Sequence, residues 1–200
     1  SLVGSEMCIR DSNREANPGS TEEDEVFYKK MADVIPRIKE DIIIVPPVKM
    51  NLEKVVDEKL LAKMKIKDTN GNVVTSEIFR NYDITAVNIW TTWCGPCVEE
   101  MPELAKLYKD LPANANFISV CMDGEEEQEK ARKILEKSNA EFVTLLGDER
   151  LREGAFRDVI AFPTTVFINR EGKMVGDPFM SPGNKSTYRA LIEEKLNIGK

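Results

Sequence analysis

The stretch "ITAVNIWTTWCGPCVEEMPEL", residues 84–104, decides how the rest of the chain is read. Its first seven residues, Ile84 to Trp90, form a short run of β-branched, apolar and aromatic side chains, the composition of a buried strand. A Cys-x-x-Cys follows at once, Cys94 to Cys97. Behind it, Leu104, Leu107 and Tyr108 recur at helical spacing. The cysteine pair thus falls where a strand ends and a helix begins.

Outward from this unit the pattern keeps alternating. On the N-terminal side, Lys63–Lys67, the turn residues Asp68-Thr69-Asn70-Gly71-Asn72 and Val73-Val74 predict a hairpin, with Asn-Gly supplying positive φ angles. On the C-terminal side, Asn116–Met122 predicts a second strand, Glu125–Ser138 a helix with Ala131, Ile134 and Leu135 inward, and Phe142–Leu146 a third strand. A short helix is expected over Glu149–Asp158. Then come a strand at Thr164–Ile168, a turn at Asn169–Gly172, a strand at Lys173–Val175 and a closing helix from Ser186 to Leu196. Alternation of this kind implies an α/β sheet flanked by helices, with the last hairpin adding antiparallel strands at one edge.

The N-terminal quarter differs. Residues 13–25 are polar and acidic and read as a linker, Val26–Lys39 has the spacing of a short amphipathic helix interrupted at Pro36, and Leu52–Leu61 predicts another turn or two of helix. The opening "SLVGSEMCIRDS", residues 1–12, has no apolar periodicity and no signal-peptide pattern, and it resembles translated sequencing-adapter read-through. On that reading the segment is non-native and the natural N-terminus is missing. The absence of a leader then says nothing about compartment, and Cys8 is no lipid-attachment site. The expected organisation is therefore residues 1–12 extraneous, 13–60 acidic linker and helical extension, and 61–200 one α/β domain.

Composition excludes several functions. A net charge of −7 without a basic patch argues against nucleic acid, and no apolar run approaches the ~20 residues that span a bilayer. With no histidine, a histidine-activated nucleophile and a histidine-ligated metal are ruled out. Zinc at Cys94 and Cys97 would need two more ligands, and the only other cysteines are Cys8 and Cys121. A structural disulfide closing so short a loop constrains little of the unfolded chain. Redox exchange remains. A cysteine at a helix N-terminus meets unpaired amides and the positive end of the dipole, which favour thiolate, so Cys94 is the expected nucleophile. Cys97, a turn further in and less exposed, is expected to resolve the mixed disulfide. Pro96 would bias the pair towards its reduced form. Trp93 is either an exposed platform beside the sulfur or a cap on the strand end. Cys121 reads as a small buried hydrophobe, Glu125-Glu126-Glu127 as a solvated helix start, and Phe156 and Phe167 as core.

Trp93-Cys94-Gly95-Pro96-Cys97, together with Phe162-Pro163-Thr164-Thr165 and Pro102 five residues after Cys97, resembles the thioredoxin superfamily over roughly Leu61–Ile198. The resemblance implies a thioredoxin-like fold, a central mixed sheet flanked by helices. It also implies a cis-Pro163 against the redox pair, with the backbone of Phe162 free to pair with an extended substrate. Trp93, Gly95, Pro96, Phe162, Pro163 and Thr164 would line the substrate groove. Two departures narrow the subfamily. Asn88 stands where thioredoxin has a buried aspartate, and Glu100, three residues after Cys97, matches the active-site glutamate of TlpA-like and ResA-like proteins, with Glu99 left as a solvated charge. The helix and strand between the cysteines and Pro163 (Glu125–Leu146) also fit TlpA-like proteins and peroxiredoxins.

The expected function is thiol-disulfide exchange, chiefly reducing disulfides of partner proteins outside the cytoplasm, as in cytochrome c maturation or oxidative-damage repair. Catalysis would rest on Cys94, Cys97 and Glu100. No metal or organic cofactor is expected. The expected partners are a disulfide-containing protein and an upstream dithiol donor, in such families often a membrane protein, acting on a monomer anchored through the missing N-terminus; a cytoplasmic location is the alternative. A peroxiredoxin-like peroxidase is the enzymatic rival: Thr91 supplies its Thr-x-x-Cys, but Val87 stands where its proline belongs. A non-catalytic binding module is the rival of a different class.

Overall fold

The computed structural model of the chain describes residues 8–9 and 55–198. The expected linker and the Val26–Lys39 helix lie outside them. By internal contacts the chain divides into one unit of residues 1–10 and 52–200 and a second of 11–51.

Among the described residues, eight strands run β1 Cys8–Ile9, β2 Lys65–Lys67, β3 Val73–Thr75, β4 Ile84–Trp90, β5 Ala115–Cys121, β6 Thr144–Leu146, β7 Ala161–Phe162 and β8 Thr164–Asn169. The α-helices among them are α1 Glu58–Leu61, α2 Gly95–Lys109, α3 Gln128–Lys137 and α4 Lys185–Ile198. The central sheet has the order β6-β5-β4-β8; β4, β5 and β6 are parallel, and β8 runs antiparallel to β4. Every residue of β4 and β5 is buried, which is why both strands read as near-continuous rather than alternating apolar segments. Helix α4 packs on α2 and on β4, and Trp90, Phe117, Phe167 and Tyr188 are among the largest fully buried side chains. Val55, Val56 and Leu61 belong to the same core, so burial begins ahead of the first hairpin.

Several expected elements are shorter or differently built. In the β2–β3 hairpin only Gly71 takes a positive φ, +85°; the Asp68 carboxylate shapes the turn instead, accepting the amides of Asn70 and Asn72 at 2.9 and 2.8 Å. Of the stretch Leu52–Leu61, residues 52–54 lie outside the described residues, and the rest yields the single turn α1, capped by Asp57 accepting from Lys59 and Leu60. Helix α3 starts at Gln128, leaving Glu125–Glu127 in the turn before it. The helix expected over Glu149–Asp158 is a five-residue π-helical turn, Leu151–Ala155. From it the Arg152 guanidinium reaches the carbonyls of Met122 and Gly147 and the carboxylate of Glu126. Lys173–Val175 forms no strand: Met174 makes one bridge to Ile168 after the Asn169–Gly172 turn, whose Gly172 has φ +77°.

Candidate active site

Helix α2 begins at the cysteine pair. Cys94 is its N-cap, in extended backbone, and its sulfur accepts the Cys97 amide at 3.3 Å. Pro96 sits in the first turn, where no amide is needed to bond backwards, and Pro102 lies within the helix. Cys94 and Cys97 are joined in a disulfide with their Cα atoms 5.3 Å apart. Both are fully buried, so the expected contrast in exposure is absent: with the bond closed, the Cys94 sulfur is turned to Cys97 rather than outward.

The sulfur pair ends a strand whose approach loop is tied down. The Asp123 carboxylate, just past β5, accepts the Thr92 amide at 2.9 Å and the Thr92 hydroxyl at 2.6 Å. It also accepts the thiol of Cys121 at 3.2 Å. Burial, with the Asp123 charge second, pushes the Cys121 thiol well above its ordinary range, so it stays a neutral core group. Nothing in the sequence singled out Asp123; its place one turn beyond the strand that neighbours β4 was the available signal.

The Phe162–Pro163 peptide is cis, as the resemblance implied. Trp93 is 51% exposed and meets Phe162 edge-on at 5.9 Å between ring centres, so its ring is not packed away into the strand end. Gly95 is exposed and Pro96 half-buried, while Thr164 is buried with its hydroxyl on the Ala161 carbonyl at 2.8 Å. The backbone of Phe162 is not free: β1 pairs antiparallel with β7, Cys8 opposite Phe162 and Ile9 opposite Ala161. An extended segment of the chain thus lies along the edge expected to receive substrate, because an unpaired strand edge takes whatever extended chain is within reach.

Behind the pair, Glu100 is buried and Glu99 exposed. The Glu100 carboxyl accepts from Asn88 Nδ2 at 3.0 Å, the Gly183 amide at 2.8 Å and the Tyr188 hydroxyl at 2.9 Å. Burial lifts it from the ordinary 4.5 to about 7, against the three hydrogen bonds that pull it down. A carboxyl that changes charge near neutrality, one helical turn from Cys97, is equipped to take and return a proton. Asn88 also donates to the Thr165 hydroxyl at 3.1 Å, and its own carbonyl oxygen is buried without a partner. Tyr188 and Gly183 are members of the site that sequence reasoning missed. Among the described residues no cluster of metal-ligating side chains occurs.

Residues 58–176 match the family model described as the AhpC/TSA family, more than half of the chain. The chain belongs to the AhpC/TSA family. It is 31% identical over 110 residues to the thiol-disulfide oxidoreductase ResA of Bacillus subtilis, covering 55% of this chain and 60% of that protein. It is 29% identical over 98 residues to the thiol:disulfide interchange protein DsbE of Haemophilus influenzae, 49% of this chain and 51% of that one. The matched stretch thus spans less than two thirds of either relative. Among solved structures, StoA from Bacillus subtilis superposes with a TM-score of 0.54 at 19% identity, over 64% of this chain and 93% of that one. A secreted Mycobacterium tuberculosis disulfide oxidoreductase gives 0.57 at 16%, over 69% and 98%. These neighbours establish the thioredoxin-like fold.

Proposed function

We propose that the protein is a thiol-disulfide oxidoreductase that reduces disulfides in partner proteins. The observation that carries this reading is the Cys94–Cys97 disulfide at the N-terminus of α2. In the reduced protein the helix N-terminus favours the Cys94 thiolate. That thiolate attacks one sulfur of a substrate disulfide; a mixed disulfide forms, and the substrate's other sulfur leaves as a thiolate that takes up a proton. Cys97 gives its proton to the Glu100 carboxylate and attacks the Cys94 sulfur. The mixed disulfide breaks, the second substrate sulfur leaves, and the proton held on Glu100 can be returned to it. Two electrons pass to the substrate, which ends as a dithiol, and the protein ends as the disulfide seen here. Trp93, Gly95, Pro96, Phe162, Pro163 and Thr164 form the docking groove, and the pairing at Phe162 supports an extended, antiparallel substrate.

An upstream dithiol must return the electrons, and the reading assigns the protein to the outside of the cytoplasmic membrane, acting as a monomer and anchored there. The secreted description of the Mycobacterium tuberculosis neighbour supports that placement. A peroxidase is disfavoured: the Thr91 hydroxyl, which would have to serve the reacting cysteine, is buried with no hydrogen-bond partner.

The deciding experiment is the reduction potential of the pair, measured by equilibration in graded thiol/disulfide buffers. A value near about −270 mV fits a reductase with a strong donor, and one near about −120 mV a disulfide-forming oxidant. Failure of the pair to open and close reversibly refutes the reading in favour of a binding module.

A further inference from the structure

Glu100 is held unevenly. Its Oε2 accepts two hydrogen bonds, from the Gly183 amide at 2.8 Å and the Tyr188 hydroxyl at 2.9 Å, whereas Oε1 accepts one, from Asn88 at 3.0 Å. A carboxylate oxygen offers about two acceptor positions, so Oε2 is filled and Oε1 keeps one open. We propose that Tyr188 is a positioning residue for proton transfer: with the Gly183 amide it occupies Oε2 and reserves Oε1 as the atom that takes the Cys97 proton and gives it back. This rests on the redox reading above.

The step balances locally. The S–H bond of Cys97 breaks and an O–H bond forms at Oε1, leaving the electron pair on sulfur for attack on Cys94. The new hydroxyl then needs an acceptor. The Asn88 carbonyl oxygen, buried and unpartnered in the oxidised protein, supplies it by a turn of the amide, and the Thr165 hydroxyl reverses to donate to the same oxygen. Tyr188 is suited to a fixed donor's role. It is fully buried, its ring lies edge-on to Phe117 and Phe179, and burial together with the neighbouring carboxylate holds its phenol far above the range in which it would ionise.

The groups that hydrogen-bond Glu100 are uncharged, Asn88 from β4, Tyr188 from α4 and the Gly183 amide ahead of α4, and so is Thr165 of β8 behind Asn88. The nearest charges on the α2–α4 seam engage one another. Glu103 pairs with Lys106 at 2.6 Å and takes the Lys185 amide at 3.2 Å, and Lys185 pairs with Asp110. Tyr188 is therefore the side chain that joins the closing helix to the proton-carrying group.

The test is a carbon-13 titration of the Glu100 carboxyl in the oxidised protein, its signal assigned by loss in E100Q. Alongside it runs the pH profile of the reduced protein's reaction with oxidised glutathione. In Tyr188→Phe the ring packing is kept and one donor to the charged form is lost. The titration midpoint should rise from about 7 by about one pH unit, and the reaction profile should move with it. In an E100Q background the same change should leave the profile alone. An unmoved midpoint overturns the proposal, as does an equal loss of rate with and without Glu100, which a merely structural tyrosine would produce. If the tyrosine variant does not fold, the proton resonance of the Tyr188 hydroxyl in the wild-type protein decides the matter: it should shift through the Glu100 titration with the same midpoint, and a resonance unmoved across that midpoint overturns the proposal. If Cys94 and Cys97 fail to exchange at all, the redox reading falls, and the titration still supports or overturns the clamp on Oε2.

Discussion

Replacing Glu100 by glutamine should make the oxidised protein more stable, and only on the alkaline side. In the unfolded chain the carboxyl ionises near 4.5; in the fold burial holds it to about 7. Below the lower value it is protonated in both states and costs nothing. As pH rises from 4.5 to 7 the folded protein keeps a proton that the unfolded chain has released, so stability falls with pH, and above 7 the loss levels off. At about 1.4 kcal/mol per pH unit, the interval from 4.5 to about 7 is worth about 3.5 kcal/mol. Glutamine has no charge to bury. It keeps the acceptor for Tyr188 and Gly183, and its amide donor can meet the Asn88 carbonyl oxygen, which now lacks a partner, once that amide turns over. Urea denaturation of both proteins, oxidised, at pH 5 and pH 8 is the assay. E100Q should lead by about 1 kcal/mol or less at pH 5 and by about 3 kcal/mol at pH 8, the latter roughly 6–12 °C in Tm. A difference that does not change between the two pH values refutes the reasoning, because it would mean Glu100 ionises alike in both states.

Other perturbations have equally definite outcomes. Asn88→Asp sets a second carboxyl within 3.0 Å of Glu100; the two should share one proton around neutrality, and the variant should lose stability relative to wild type more at pH 8 than at pH 5 in the same urea assay. Cys97→Ser should stall exchange at the mixed disulfide, recovered as a covalent complex on non-reducing gels, whereas Cys94→Ser should trap far less, since its free cysteine lies deeper in the helix. Asp123→Ala removes the acceptor of both Thr92 hydrogen bonds and should destabilise the protein by roughly 2–3 kcal/mol; a loss below about 0.5 kcal/mol would show the loop is held without it. Deleting residues 1–12 should leave the thermal transition unchanged and strengthen binding of an extended cysteine-containing peptide, read by Trp93 fluorescence; unchanged binding would mean that β1 does not compete for the Phe162 edge.

The central sheet was legible because burial on both faces leaves a plain mark: β4 and β5 consist of apolar and β-branched residues interrupted by few polar ones. The cysteine pair was legible from its spacing, the cis Phe162–Pro163 peptide from the family resemblance, and the inward face of Glu100 beside a solvated Glu99 from helical spacing. What escaped is held by single side chains acting at a distance. The Arg152 brace and the Asp123 clamp each depend on one charged group meeting backbone that another part of the chain supplies, and no local period records such a meeting. Tyr188 escaped for the same reason, 88 residues from the glutamate it bonds.

Asn88 shows how the polar exception in a buried strand becomes informative once its partners are known. From the sequence it is only a departure, a residue unable to take a proton where a carboxylate was expected. In the fold it stands between Glu100 and Thr165, donating to both. A carboxylate there would repel Glu100, whereas an amide can donate to it when charged and, turned over, accept from it when protonated. The ionisable group is thereby displaced from the strand to the helix that carries the cysteines, and its hydrogen-bond partners come from β4 and from the Gly183–α4 segment. In the proposed mechanism, proton transfer at the N-terminus of α2 accordingly depends on the last helix of the chain being docked, and loosening α4 should shift the pH response of the cysteine pair before it unfolds the sheet.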